Sequence, residues 1–450
     1  MDARFQRVGE FTQSELARLP IPGAAVGVLY GDQEFRAGFG VTNINQPLPV
    51  HDDTLFQIGS ITKTFVATLI MRLVHAGKLE LDVPVRAYLP ELQLRDEYAT
   101  QHATLRNCLQ HTGGWLGDYF DDFGRGENAL AKIVAAMASL PQMIPPGEMF
   151  SYNNAGFYLA GRVIERIMQQ PFERVMQEWI FAPLEMDAAY FFAEDVITKS
   201  FAAGHEAADG KPFVAEPWAL ARSAHPAGGI ITNIENLFRY ARFQMGDGTA
   251  PNGTRLLTRA ALDEMHTPRV RATDPQSVGL SWFTYEIGGI KFIEHGGGTK
   301  GQITRLAIAP EKNFAAAILT NSSAGGILIM NLFNEIFDAF LQVRAEPLTP
   351  FAMPTAQLDA YAGRYESALD HLDITLADDK LVVQMTPHGG FPTPDTPPPP
   401  APPPVQAAFY APDRIFGLDE PFKNVRAEFF RDTDNNLLWL LFGGRLHKRK

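Results

Sequence analysis

The sequence predicts an α+β protein in two parts: an antiparallel sheet flanked by helices, with a mainly helical subdomain, over residues 1–345, and a small all-β, barrel-like domain over residues 355–450. Three observations predict it. Strand patterns near residues 24–42 and 281–320 enclose a long stretch of helical periodicity, helix signals largely vanish after residue 355, and 450 residues exceed one ordinary core.

Residues 5–19 read as an amphipathic helix, and 24–30 and 34–42 as strands joined by Gly31-Asp32-Gln33, a hairpin signal. Helical periodicity then dominates from Gly59 to about Arg242, in 64–75, 128–140, 156–169 and 236–245. Alternation returns in 281–287, 290–294, 303–309 and 314–320, and 327–344 reads as a helix packed on that sheet. A Pro-containing linker, 347–354, leads to strands at 361–366, 372–376, 381–385, 425–430 and 437–442, a small antiparallel sheet or barrel. Nine of the thirteen residues 392–404 are proline, which lacks the N–H a ladder needs, so this run reads as an exposed polyproline loop and stiff spacer.

The net charge of −12 disfavours nucleic acid and anionic membrane surfaces as partners. The single cysteine, Cys108, excludes an internal disulfide and reads as a buried small hydrophobe in a reducing compartment. With a charged amino terminus and no apolar run of spanning length, a cytoplasmic protein is expected. No metal is expected, because the histidines form no His-Glu-x-x-His and there is no cysteine cluster; no cofactor is implied. Asp432 to Asn436 reads as a hairpin turn, since Leu437 stands where a calcium loop needs glycine, and Lys448-Arg449-Lys450 as a solvated tail.

Three motifs carry chemistry. Ser60 and Lys63 form the only Ser-x-x-Lys, at the start of an apolar-periodic helix, where residues three apart share a face. A neutral amine there can take the serine proton; alternatively the pair is a capping serine with a surface lysine. Tyr152 and Asn154 leave a turn-rich loop just before the helix expected from Gly156. A phenol near a cationic lysine can shuttle protons and a carboxamide can hold a substrate amide or the lysine, whereas a packed Tyr152 with Asn153 or Asn154 as a cap is the simpler reading of the loop alone. His295-Gly296-Gly297-Gly298-Thr299 follows a predicted strand. Its glycines admit close approach of a ligand and offer N–H groups to an oxyanion, or form a glycine-rich hairpin turn. No Gly-x-Ser-x-Gly elbow accompanies it, so an α/β-hydrolase is excluded.

In that order the motifs resemble the serine β-lactamase and penicillin-binding-protein superfamily, in its class C-like branch of esterases and D-amino-acid peptidases, over about residues 8–340. Residues 56–60, 109–114 and 227–230 share the likeness, and the chain after Thr355 resembles the lipocalin-like barrel appended to some members. The resemblance implies a β-lactamase-like fold and a serine hydrolase that cleaves an ester or amide, D-amino-acid peptides included, through acyl-Ser60. It implies Lys63 as activating partner, Tyr152 as proton shuttle, Asn154, His295 and Gly297 as substrate contacts, and the N–H groups of Ser60 and Gly298 as oxyanion hole. His295 stands where the β-lactamases carry lysine; a histidine, mostly neutral at pH 7 and titrating between about 5 and 8, holds a carboxylate weakly. Efficient β-lactam hydrolysis is therefore not expected.

The expected partner is a small ester, amide or peptide, and a homo-oligomer is compatible with the chain. The alternative is a catalytically silent homologue that binds peptides or a partner; within the enzyme class, the alternatives are a weak β-lactamase or an acyltransferase. Every candidate catalytic residue precedes residue 300, so the second domain is expected to wall the cleft or pair subunits without completing the chemistry.

Overall fold

Alternation along the strand Gly23–Tyr30 divides the first part of the protein into two cores: Ala24, Val26 and Val28 face one, Ala25 and Leu29 the other. The computed structural model describes residues 2–450 apart from 209, 219, 378, 379, 392 and 394. An eight-stranded antiparallel sheet runs in the order Gln33–Gly40, Gly23–Tyr30, Phe314–Thr320, Gln302–Ala309, Ile290–Thr299, Phe283–Ile287, Ser277–Val278 and Val270–Arg271. The opening helix Ala3–Arg18 and the helix Gly325–Leu341 cover one face through Phe5, Val8, Leu332 and Phe337. The helical block covers the other, with Thr62–His75, Ala155–Met168 and Ile234–Met245 at its centre. This is the β-lactamase-like architecture expected.

The barrel is closed by eight strands, from Gly363–Glu366 to Arg445–Arg449. Leu372, Ile374, Leu381, Phe429 and Leu440 fill its interior, leaving a cavity of about 20 Å³, room for a single water. On its outer side Trp439, Leu441 and Leu446 pack against Ile144, Phe150 and Val278, and the ion pairs Arg271–Glu428 and Arg426–Asp274 flank that seam. Among the described residues no helix is long and apolar enough to cross a membrane.

Several expectations change. The strand expected to end at Glu294 continues through all three glycines to Thr299, pairing Gly297 with Thr304 and Gly298 with Ile303, so the glycine run is not a turn; the turn is Lys300-Gly301. Glycine is required because a Cβ on Gly297 would fall 1.9 Å from the Ile58 carbonyl oxygen. Residues 448–450 are not a solvated tail: Arg445–Arg449 pairs with Leu437–Phe442 on one side and Gly363–Glu366 on the other, and so closes the barrel. Strands Val405–Ala411 and Arg414–Gly417, and a hairpin of His205–Ala208 with Lys211–Val214 inside the helical block, carry no strong pattern in the sequence. Cys108 is buried on the helix Leu105–Leu109, where burial pushes its thiol up to about 12. Asp432 to Asn436 does turn the chain, the Asp432 N–H donating to the Asn436 carbonyl at 2.8 Å.

Candidate active site

Ser60 sits in a single 3₁₀ turn, Gly59–Ile61, that runs into the helix Thr62–His75. The turn lies on the glycine strand so closely that a Cβ on Gly59, whose φ is +51°, would meet the Gly298 nitrogen at 2.6 Å. Two glycines therefore allow the backbone of the serine turn and of Gly298 to stand face to face. Ser60 caps nothing and Lys63 is not on the surface: its side chain is fully buried.

The Lys63 Nζ lies 3.0 Å from Ser60 Oγ, 2.7 Å from Asn154 Oδ1 and 2.6 Å from the Ala227 carbonyl oxygen. Burial drives its pKa well below the ordinary lysine value; Arg445 adds to the shift and Asp118 opposes it. A neutral amine has two N–H donors for the two carbonyl-type oxygens and one lone pair left to accept the Ser60 proton. The three contacts also fit the three N–H donors of the charged form, so it is burial that favours the neutral one.

Tyr152 stands beside this pair, its ring centre 5.0 Å from the lysine nitrogen. Burial pushes its phenol up, opposed by its contact with Ser60 and by the Arg445 charge. A cationic lysine lowering the phenol is therefore not the arrangement found: the dry site favours both groups neutral. The His111 ring stacks on Tyr152 at 4.3 Å, and its Nδ1 accepts the Asn153 N–H at 3.0 Å.

Asn154 is not a cap; the Asn153 Oδ1 takes the Gly156 N–H instead, at 2.8 Å. The Asn154 Nδ2 donates to Asp118 Oδ1 at 2.8 Å, and Asp118 accepts Arg445 Nε at 3.0 Å and Nη2 at 3.2 Å. Arg445 comes from the barrel, from the hairpin turned at Gly443-Gly444, and the Gly444 carbonyl accepts the Tyr152 N–H at 2.8 Å.

His295 is buried beside Phe283, with ring centres 5.4 Å apart and its Nδ1 2.5 Å from the Gly296 oxygen. Burial, reinforced by Lys63, takes its pKa down to about 3, so it is neutral across the physiological range rather than titrating between 5 and 8. Ser60, Tyr152, Asn154, His295, Gly297 and Gly298 line one cavity of about 690 Å³, with Lys63 behind Ser60. Every site residue expected from the sequence is thus brought together.

The beta-lactamase family model matches residues 8–327 of the chain. This protein belongs to the beta-lactamase family. Members of that family are generally serine hydrolases. The chain is 32% identical to penicillin-binding protein 4 of Amycolatopsis lactamdurans, across 77% of this chain and 93% of the relative. Among solved structures it is similar to SurE with D-Leu, at a TM-score of 0.77 and 24% identity over 100% of both chains. It is also similar to the D-alanine carboxypeptidase AmpC from Burkholderia cenocepacia, at a TM-score of 0.61 and 25% identity over 74% of this chain and 99% of the other.

Within this family member, sequence reasoning misses Asp118 and Arg445. Neither lies in a recognisable motif: Asp118 follows an ordinary loop, and Gly443-Gly444 signals a tight turn but not what that turn carries. His111 and Ala227 fall inside stretches with the family likeness, yet only the fold shows what they touch.

Proposed function

We propose that the protein is a serine hydrolase that opens a neutral ester or amide bond, D-aminoacyl peptides included, through an acyl-Ser60 intermediate. The buried Lys63 amine, with two carbonyl oxygens on its N–H groups and Ser60 Oγ 3.0 Å away, supports this reading most strongly. Lys63 takes the proton as Ser60 Oγ attacks the carbonyl carbon, and the N–H groups of Ser60 and Gly298 receive the developing oxyanion. Tyr152, kept protonated by burial, donates to the leaving group and then draws the proton of the attacking water, and Lys63 returns its proton to Ser60 Oγ as the acyl–oxygen bond breaks. Asn154 holds the lysine and, with Gly297 and His295, the substrate.

A neutral His295 offers no fixed charge to a substrate carboxylate, which favours neutral esters and amides over β-lactams. The likeness to a protein named as a D-alanine carboxypeptidase supports substrates that carry D-residues. A fluorophosphonate probe tests the mechanism: labelling should map to Ser60 and disappear in Ser60→Ala, a substitution that removes one hydrogen-bonded hydroxyl at a cost of about 1 kcal/mol. Turnover retained by Ser60→Ala overturns it, and a folded protein that neither labels nor turns over a panel of esters and D- and L-aminoacyl amides is instead a binding homologue.

A further inference from the structure

The cavity at Ser60, about 690 Å³, has the size of sites that enclose a whole small ligand, typically about 300–1,000 Å³. Much of one wall comes from the barrel: Leu369, Met385, Phe391, Pro397 and Pro399 line it. The first three are only half-buried, so apolar surface is left facing the space in front of the serine.

Contacts within the protein hold that wall. The Phe391 ring meets Phe120 of the catalytic part edge-on, with centres 4.8 Å apart and planes at 72°. The Gly390 N–H donates to the Thr396 carbonyl at 2.9 Å, and the hydroxyls of Thr393 and Thr396 are 2.9 Å apart. Proline fixes its own φ, so the run Pro397–Pro400 has little freedom to lose on binding. The proline run is therefore more than the spacer its composition suggests.

Three of the four acidic and basic side chains on the cavity lining are engaged elsewhere. Lys300 Nζ donates to the Glu216 carbonyl at 2.5 Å, Asp370 accepts His447 Nε2 at 2.5 Å, and Arg445 is held by Asp118. Glu206, also on the lining, repels anions. Recognition at this wall is left to burial of apolar surface.

We infer that the Pro-rich lobe, clamped by Phe391 on Phe120, is the specificity wall of the site and takes an uncharged aromatic or branched apolar side chain of the acyl group transferred to Ser60. The inference rests on reading Ser60 as the nucleophile. It is tested with 4-nitrophenyl 4-phenylbutanoate and 4-nitrophenyl acetate, comparing the ratio of their kcat/KM values, and with 4-phenylbutanamide titrated calorimetrically into the Ser60→Ala form of each protein, which cannot be acylated.

Phe391→Ser should lower the phenylbutanoate-to-acetate ratio at least tenfold and raise the Kd of the amide at least tenfold, since it deletes most of one aromatic contact face. Phe120→Ser should move both in the same direction, and Phe391→Leu, which keeps an apolar wall, should stay within threefold of the parent ratio. A ratio and a Kd within twofold of the parent in folded Phe391→Ser overturn the wall, as does a parent protein that does not bind the amide. A parent protein that hydrolyses neither ester overturns the hydrolase reading instead, and the amide titration then decides the wall by itself.

Discussion

The Arg445 guanidinium lies 4.7 Å above the centre of the Tyr152 ring, and the same group pairs with Asp118, 327 residues away in the chain. Lys63, Asn154, Asp118 and Arg445 thereby form a continuous hydrogen-bonded arc that closes over the phenol. A cation held there steadies negative charge on Tyr152, which burial alone would suppress.

Removing Arg445 should cost both stability and rate. Arg445→Met leaves Asp118, with a side chain 5% exposed, as an unpaired buried charge, and breaking such a pair costs about 3–5 kcal/mol. Adding Asp118→Asn should recover most of the urea midpoint but not the turnover. Deletion of residues 355–450 removes the same guanidinium, so a folded truncation should turn over substrate no faster than Arg445→Met. A truncation as active as the full chain would show that the barrel contributes no chemistry.

Tyr152→Phe should lower the rate at least about a hundredfold, the usual scale for a proton-transfer group. Stability should barely move, because the ring keeps its stacking on His111 at 4.3 Å. A loss under threefold would reduce Tyr152 to packing.

The preference for neutral over anionic substrates should be flat between pH 5 and 8. With its pKa taken down to about 3, His295 does not change charge in that range. His295→Lys adds a cation and should raise the relative kcat/KM of the carboxylate-bearing member of a matched substrate pair. A preference that shifts near pH 6.5 in the parent but not in this variant would mean His295 titrates as an exposed imidazole.

Acid should destabilise the fold well before carboxylates matter. His111 and His295 are buried and His266 is half-buried, all with depressed pKa values, the last two named down to about 3, so near pH 5 the unfolded chain binds more protons than the folded one. Their stabilising contribution is complete above about pH 6.5 and is lost as pH falls. Three such groups give a slope of up to about 4 kcal/mol per pH unit. Glu173, held down to about 2, adds only below about pH 4.5. Urea unfolding at pH 6.5, 5.5 and 4.5 reads the slope, and equal stabilities at the three values would contradict neutral burial.

Gly297→Ala and Gly296→Ala separate the demands of the glycine strand. A Cβ at Gly297 would lie 1.9 Å from the Ile58 oxygen, whereas one at Gly296 finds the Thr304 oxygen at an ordinary 3.7 Å. The first should displace the serine turn and lower both Tm and activity; the second should leave Tm nearly unchanged. Equal Tm values would show that the turn can move away at no cost.

The sequence by itself determined the local elements and the reactive trio. Period-two and helical alternation set the sheet, the helical block and most barrel strands, because burial on one face is written into side-chain order. Ser60-x-x-Lys63, Tyr152-x-Asn154 and the glycine run are short motifs whose chemistry depends on neighbours in the chain, and so they were legible. Tertiary structure alone decided that Lys63 is dry, that the glycines extend a strand, and that Arg445 reaches Tyr152. The reason is physical: burial, pKa and ion pairing depend on what packs around a group, and here Asn154 and Ala227 close on Lys63, the strand Gln302–Ala309 pairs the glycines, and the barrel's last hairpin brings Arg445 to Tyr152.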